Sequence, residues 1–104
     1  MTLSIDVRSR TTGEMVVVVR GDLGTATSAQ LVGSIDALLR ARPAAISLDL
    51  GLVTYADAGA VGALLQIQRN CVGVACRFNV ERFSPALERT LASTGMSGAL
   101  PRFP

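Results

Sequence analysis

The sequence predicts an α/β fold: a four-stranded mixed sheet with three or four helices packed on it, in the order β-β-α-β-α-β-α. Three observations predict it. Hydrophobic residues make up 49% of the chain and charged residues 17%, the balance of a polypeptide that buries a core. Apolar residues recur with period two or in β-branched runs in four segments, and at helical spacing in three others. After an initial pair of strands the two patterns alternate, which lays helices against a face of a mixed sheet. At 104 residues the chain has room for one domain, residues 1–104, and one core.

Leu3, Ile5 and Val7 alternate with Ser4, Asp6 and Arg8, the pattern of a strand with one buried face. Thr11 to Glu14, with Gly13, forms a turn. Met15 to Val19 is a β-branched run suited to a strand covered on both faces, and Gly21 ends it. Leu31, Ile35, Leu38 and Leu39 then fall on one helical stripe. Thr27 and Gln30 have the spacing of a capping box at its start, and Pro43 stops it near Arg40 by biasing Arg42 away from helical geometry.

Ala45 to Leu50 alternates again as a third strand, and Gly51 to Ala56 is expected to loop. Asp57 caps a second helix running to about Asn70. Its apolar residues cover more girth than a surface helix needs, so it is either deeply buried or offers an apolar face to a partner. The fourth strand lies within Val72 to Val80 and centres on Val74 to Phe78. Ser84 caps a last helix with Pro85 at its first position, where the missing N–H costs nothing. Gly95 closes that helix, and Met96 to Pro104 forms an irregular tail.

Several function classes are excluded. The ten basic residues are all arginines spread along the chain, net charge is +2, and there are one Tyr, three Phe and no Trp. Neither a basic patch nor a stacking platform for nucleic acid results. No stretch is long enough to cross a membrane, and Met1 to Arg10 lacks the apolar core of a signal peptide, so a cytoplasmic protein is expected. With no His, a mixed Cys/His zinc site cannot form within the chain. Phosphate-loop, nucleophile-elbow and dinucleotide motifs are missing, and Asp49 and Asp57 are the only carboxylates near a βα turn. An enzyme is therefore not expected, nor is any cofactor or metal. Cys71 and Cys76 have the composition of free thiols in a cytosolic protein, with a redox switch as the alternative.

The informative segment is Leu48 to Leu65: an apolar strand, a loop, and a capped helix whose first turn is built from Ala and Gly. Uncovered N–H groups at the positive end of that helix favour a phosphate or a partner's carboxylate. The same small residues, Ala58, Gly59 and Gly62, equally permit close packing on the sheet.

These residues resemble the STAS family. Leu48-Asp49-Leu50 and the run Asp57 to Gly62 lie in register with the family's L-D-L strand and D-S-S-G-x-G turn. Gly21-Asp22-Leu23 matches its G-[DE]-L loop, and Ser84-Pro85-Ala86 through Thr94-Gly95-Met96 matches its ending. The similarity spans essentially the whole chain. It implies an anti-sigma-factor antagonist that docks onto a kinase-type anti-sigma factor and relieves inhibition of a sigma factor.

In such antagonists the second Ser of the turn is phosphorylated, which breaks the interface. Here that position is Gly59 and its neighbour is Ala58, so the resemblance implies docking without that control. The contact residues it implies are Asp22, Gly24, Thr25, Thr54, Tyr55, Asp57, Ala58 and Gly59, with the exposed side of the second helix, and Gly59→Asp is expected to weaken docking. Gly24 also departs from the family, which often has an acidic residue there. Alternatives are a STAS subunit of a membrane transport complex and a ligand or redox sensor using Cys71 and Cys76.

Overall fold

The computed structural model of the chain describes residues 2–102. Strand β1 (Leu3–Thr11) turns into the antiparallel β2 (Glu14–Leu23). Helix α1 (Ser28–Leu39) leads to β3 (Ala45–Ala56), parallel to β2, and α2 (Ala58–Gly73) leads to β4 (Arg77–Phe83), parallel to β3. Helix α3 (Pro85–Ser93) comes last. The sheet order is β1-β2-β3-β4, and each parallel step is made through a helix because parallel neighbours need a long crossover. The predicted four-stranded mixed sheet and the order β-β-α-β-α-β-α are as expected, with three helices.

Val17 and Val19 of β2, Ile46, Leu48 and Leu50 of β3 and Val80 of β4 line one face of the sheet. They form one buried cluster with Leu31 and Ile35 of α1, Leu64 and Ile67 of α2, and Leu87 and Leu91 of α3. Burying each such side chain contributes about 1.5–3 kcal/mol. On the opposite face ion pairs run across the strands, Arg10 with Glu81, Arg20 with Asp6 and Arg82 with Asp49. The β-branched run of β2 is thus flanked by strands on both edges, but helices cover only one of its faces. Val18 is buried on the other beside Arg8, Arg10 and Arg82, whose aliphatic stems shield it.

Four boundaries differ from the sequence expectation. Strand β2 runs past Gly21 to Leu23, and residues 51–56 are strand and not loop. The two extensions pair with each other, Gly21 with Val53, Asp22 with Tyr55 and Leu23 with Ala56. Helix α2 continues to Gly73, and Val74 closes it by donating its N–H to Cys71 O. Consequently β4 starts at Arg77, and the residues expected to begin it, Val72 and Val74, are 71% and 46% exposed.

Thr27 occupies the N-cap position of α1 without making a capping box. Its Oγ1 accepts from Gly24 N at 3.0 Å and donates to Asp22 O at 2.7 Å. Gln30 instead donates to Leu3 O at 3.2 Å. The Thr27 hydroxyl therefore ties the β2–α1 loop together. In the tail, Leu100 is buried and Arg102 bridges to Val80, so its described part packs on β4; Phe103 and Pro104 lie outside the described residues.

Candidate docking site

Asp57 sits between the end of β3 and the start of α2, and its carboxylate gathers the surrounding loops. Oδ1 accepts from Gly59 N at 2.8 Å, as the cap of α2 should. Oδ2 accepts from Thr25 N at 3.2 Å, across 32 residues of sequence, and from Tyr55 Oη at 3.3 Å. The Thr25 hydroxyl adds a weak contact at 3.4 Å. Desolvation by itself raises the Asp57 pKa, but the N–H groups of Thr25 and Gly59, the Tyr55 hydroxyl and Ala60 N–H outweigh it and hold the carboxyl below its ordinary 3.8. The negative charge of Asp57 in turn raises the Tyr55 pKa above its ordinary value.

This geometry corrects the expectation of uncovered N–H groups at the start of α2. Gly59 N is taken by the Asp57 carboxylate, and Ala60 N donates to Asp57 O at 2.9 Å. A carboxylate of the chain itself already occupies the positive helix end, so a second anion there would meet its charge.

Two glycines make the closure possible. A Cβ on Gly24 would lie 2.7 Å from Asp57 Oδ2 and 3.0 Å from the Tyr55 ring, so Gly24 is buried beneath those side chains. A Cβ on Gly59 would lie 2.6 Å from Thr25 Oγ1 and 2.8 Å from Thr25 Cα. Position 59 therefore faces the β2–α1 loop, and Gly59→Asp would displace backbone instead of adding charge to an open surface. The expectation that Gly59→Asp tests docking directly is corrected accordingly.

The structure brings all eight predicted residues together, at different depths. Thr25, Thr54, Tyr55 and Ala58 are exposed, Tyr55 at 43%. Asp22, Asp57 and Gly59 are half-buried, and Gly24 is buried. Beside Thr54 and Tyr55 lies a cleft of about 310 Å³ reaching to Arg89 and Ser93 of α3. The Thr90 hydroxyl, donating to Ala56 O at 2.9 Å, fixes α3 there. Sequence reasoning missed α3 as a wall of this site, and no local pattern around Arg89 points to β3. On α2 itself, Ala60, Val61, Ala63, Leu64, Ile67 and Cys71 are buried. The wide apolar girth is therefore core, and Ala58, Gly62, Gln66 and Arg69 form the exposed side.

Cys71 and Cys76 lie away from this surface. Both are buried, free thiols; burial pushes the Cys71 pKa up to about 12 and raises that of Cys76. Among the described residues no group of His, Cys, Asp or Glu could hold a metal ion, and no helix is long and apolar enough to cross a membrane.

A family model described as "Mlab, STAS domain" matches residues 7–102. No curated protein matches the chain in sequence. Among solved structures, an anti-sigma factor antagonist from Mycobacterium paratuberculosis is 25% identical with a TM-score of 0.81, covering 99% of this chain and 86% of its own. SpoIIAA of Bacillus, an anti-sigma factor antagonist in its unphosphorylated form, is 18% identical with a TM-score of 0.76, covering 97% and 89%. A sulfate transporter family protein from Wolinella succinogenes is 21% identical with a TM-score of 0.71, covering 88% and 75%. The likeness to the last two shows the fold alone.

Proposed function

The chain belongs to the STAS domain family, and on that premise we propose that it is a single-domain regulatory module, without enzymatic activity, that docks onto a kinase-type anti-sigma factor. Docking relieves inhibition of a sigma factor in the cytoplasm and is not controlled by phosphate on the first turn of α2. The contact surface is Thr25, Thr54, Tyr55 and Ala58, held in place from below by Asp22, Gly24, Asp57 and Gly59.

One observation carries this reading: Ala58 and Gly59 offer no hydroxyl, and Thr25 covers position 59. An added phosphate would switch such a surface by repulsion and desolvation, and this turn has no atom to accept it. Likeness to an anti-sigma factor antagonist over 99% of the chain supports the choice of partner.

The test is titration against kinase-type anti-sigma factors with and without ATP, followed by mass analysis of the peptide carrying residues 57–62. Binding is expected in both conditions, with no phosphate on that peptide. Ala58→Asp and Tyr55→Ala should each weaken binding about tenfold, the loss typical of an interface anchor. Binding lost in the presence of ATP, or unchanged binding of both variants, refutes the proposal.

A second reading is a STAS subunit of a membrane transport complex. The Wolinella succinogenes sulfate transporter family neighbour favours it. Purification from native cells separates the two, since co-elution with a membrane ATPase supports only this one.

A further inference from the structure

Arg40, Arg42 and Arg69 line a cleft of about 610 Å³ at the C-terminal ends of α1 and α2. It lies at the opposite end of α2 from Asp57, about 24 Å away by helix rise, so a ligand held there is separate from the docking surface and does not depend on it.

The arginines here differ from most others in the chain. Arg10, Arg20, Arg77, Arg82 and Arg102 each pair with a carboxylate. Among the described residues, the side chains of Arg40 and Arg42 meet no partner, and Arg69 meets only the amide oxygen of Gln66, at 2.9 Å. One carboxylate lines the cleft, that of Asp36, and it accepts from Asn70 at 2.9 Å, which ties α1 to α2.

Charge bookkeeping leaves a surplus. Three guanidiniums face one carboxylate and two helix C-termini, each equivalent to roughly half a negative charge. About one positive charge therefore remains uncompensated. Arginines serving only to offset the helix ends would leave none.

Backbone geometry sets the place of Arg42, whose N–H donates to Leu39 O at 3.0 Å at the end of α1. Arg42 sits at φ +54, in the left-handed region that L side chains other than Asn and Asp rarely enter. It immediately precedes Pro43, which favours extended backbone at that place. Ala75 takes the same conformation, φ +56, in the corresponding turn after α2, so the left-handed residue closes the helix end and fixes where the Arg42 side chain leaves the backbone. The cleft is also amphipathic, since Leu39 and Val74 form part of its wall and Val74 is 46% exposed. Its volume suits a small organic ligand and exceeds the needs of a bare ion.

We propose that this cleft binds a phosphate group, with Arg42 and Arg69 as the principal ligands and Arg40 beside them. Guanidinium forks match phosphate oxygens in pairs. The group is borne either by a soluble phosphate ester or by a lipid headgroup, and in the second case the exposed Val72 and Val74 enter the interfacial layer.

Titration of ¹⁵N-labelled protein with pyrophosphate, and sedimentation with phosphatidylcholine vesicles with or without phosphatidylglycerol, tests it. Saturable shifts at the amides of residues 39–42 and 69–74, or sedimentation only with anionic vesicles, is expected; the first assigns a soluble ligand and the second a headgroup. Either signal should weaken at least tenfold in the R42Q/R69Q variant and fall as salt rises. Arg42→Gly removes guanidinium and strain together, so it should lose binding while its unfolding midpoint stays at or above that of the parent. No binding of either probe, or equal binding by the folded R42Q/R69Q variant, overturns the proposal.

Discussion

Asp57 is both a helix cap and the clasp between two loops, and its titration should be visible in stability. Its folded pKa lies below the ordinary 3.8, so as pH falls the unfolded chain takes up the proton first. The contribution is therefore complete above the ordinary carboxylate range and is lost as pH drops through the lowered folded value. Replacing Asp57 by Ala should cost about 1 kcal/mol near neutral pH, as loss of a cap does. Urea unfolding of both proteins between pH 7 and pH 2.5 should show the gap narrowing below about pH 4; a constant gap would mean that the carboxylate charge is not involved. Local sequence identified Asp57 as a cap, because the signal lies within two residues of it. The partnership with Thr25 was not legible, since 32 residues separate the two.

At the scale of elements, helix starts with their own chemistry were readable and strand ends were not. Ser84 accepts from Leu87 N at 3.1 Å with Pro85 behind it, as the Ser-Pro pair predicted. Ser84 is almost wholly buried, so Ser84→Ala leaves an N–H unsatisfied away from water and should destabilise by about 1–2 kcal/mol. A shift of the urea midpoint with an unchanged slope would confirm a simple stability loss; no shift would show that water replaces the cap. Residues 51–56 misled because Gly51 and the polar Thr54 look like a loop, whereas pairing with β2 makes them strand. Thr27 has the capping-box spacing, but its hydroxyl is better used closing the loop behind it.

For the molecule as a whole, α2 and the turn after it decide the chemistry of the two cysteines. Cys71 lies in the shared core of sheet and helices, and Cys76 packs against it from the turn before β4. A thiol whose pKa is pushed up to about 12 supplies almost no thiolate at pH 8. A thiol reagent at that pH should leave both cysteines unmodified in the native protein and label both in denaturant. Native labelling should be slow and should track global opening. Fast labelling of either cysteine in the native state would revive a redox role. The same burial settles the girth of α2, which is apolar because helices and sheet surround it.

The amino-acid sequence by itself determined the order of elements, the apolar stripe of α1, and the want of a hydroxyl at Ala58 and Gly59. Periodicity, caps and side-chain identity are local, and local signals survive without coordinates. Only the tertiary structure decided that Thr25 lies over Gly59, that Asp57 occupies its own helix end, and that Arg40 and Arg42 after α1 share one cleft with Arg69 of α2. Those facts depend on contacts between residues far apart in the chain, which exist only once the β2–β3 pairing and the α1–α2 packing have brought them together.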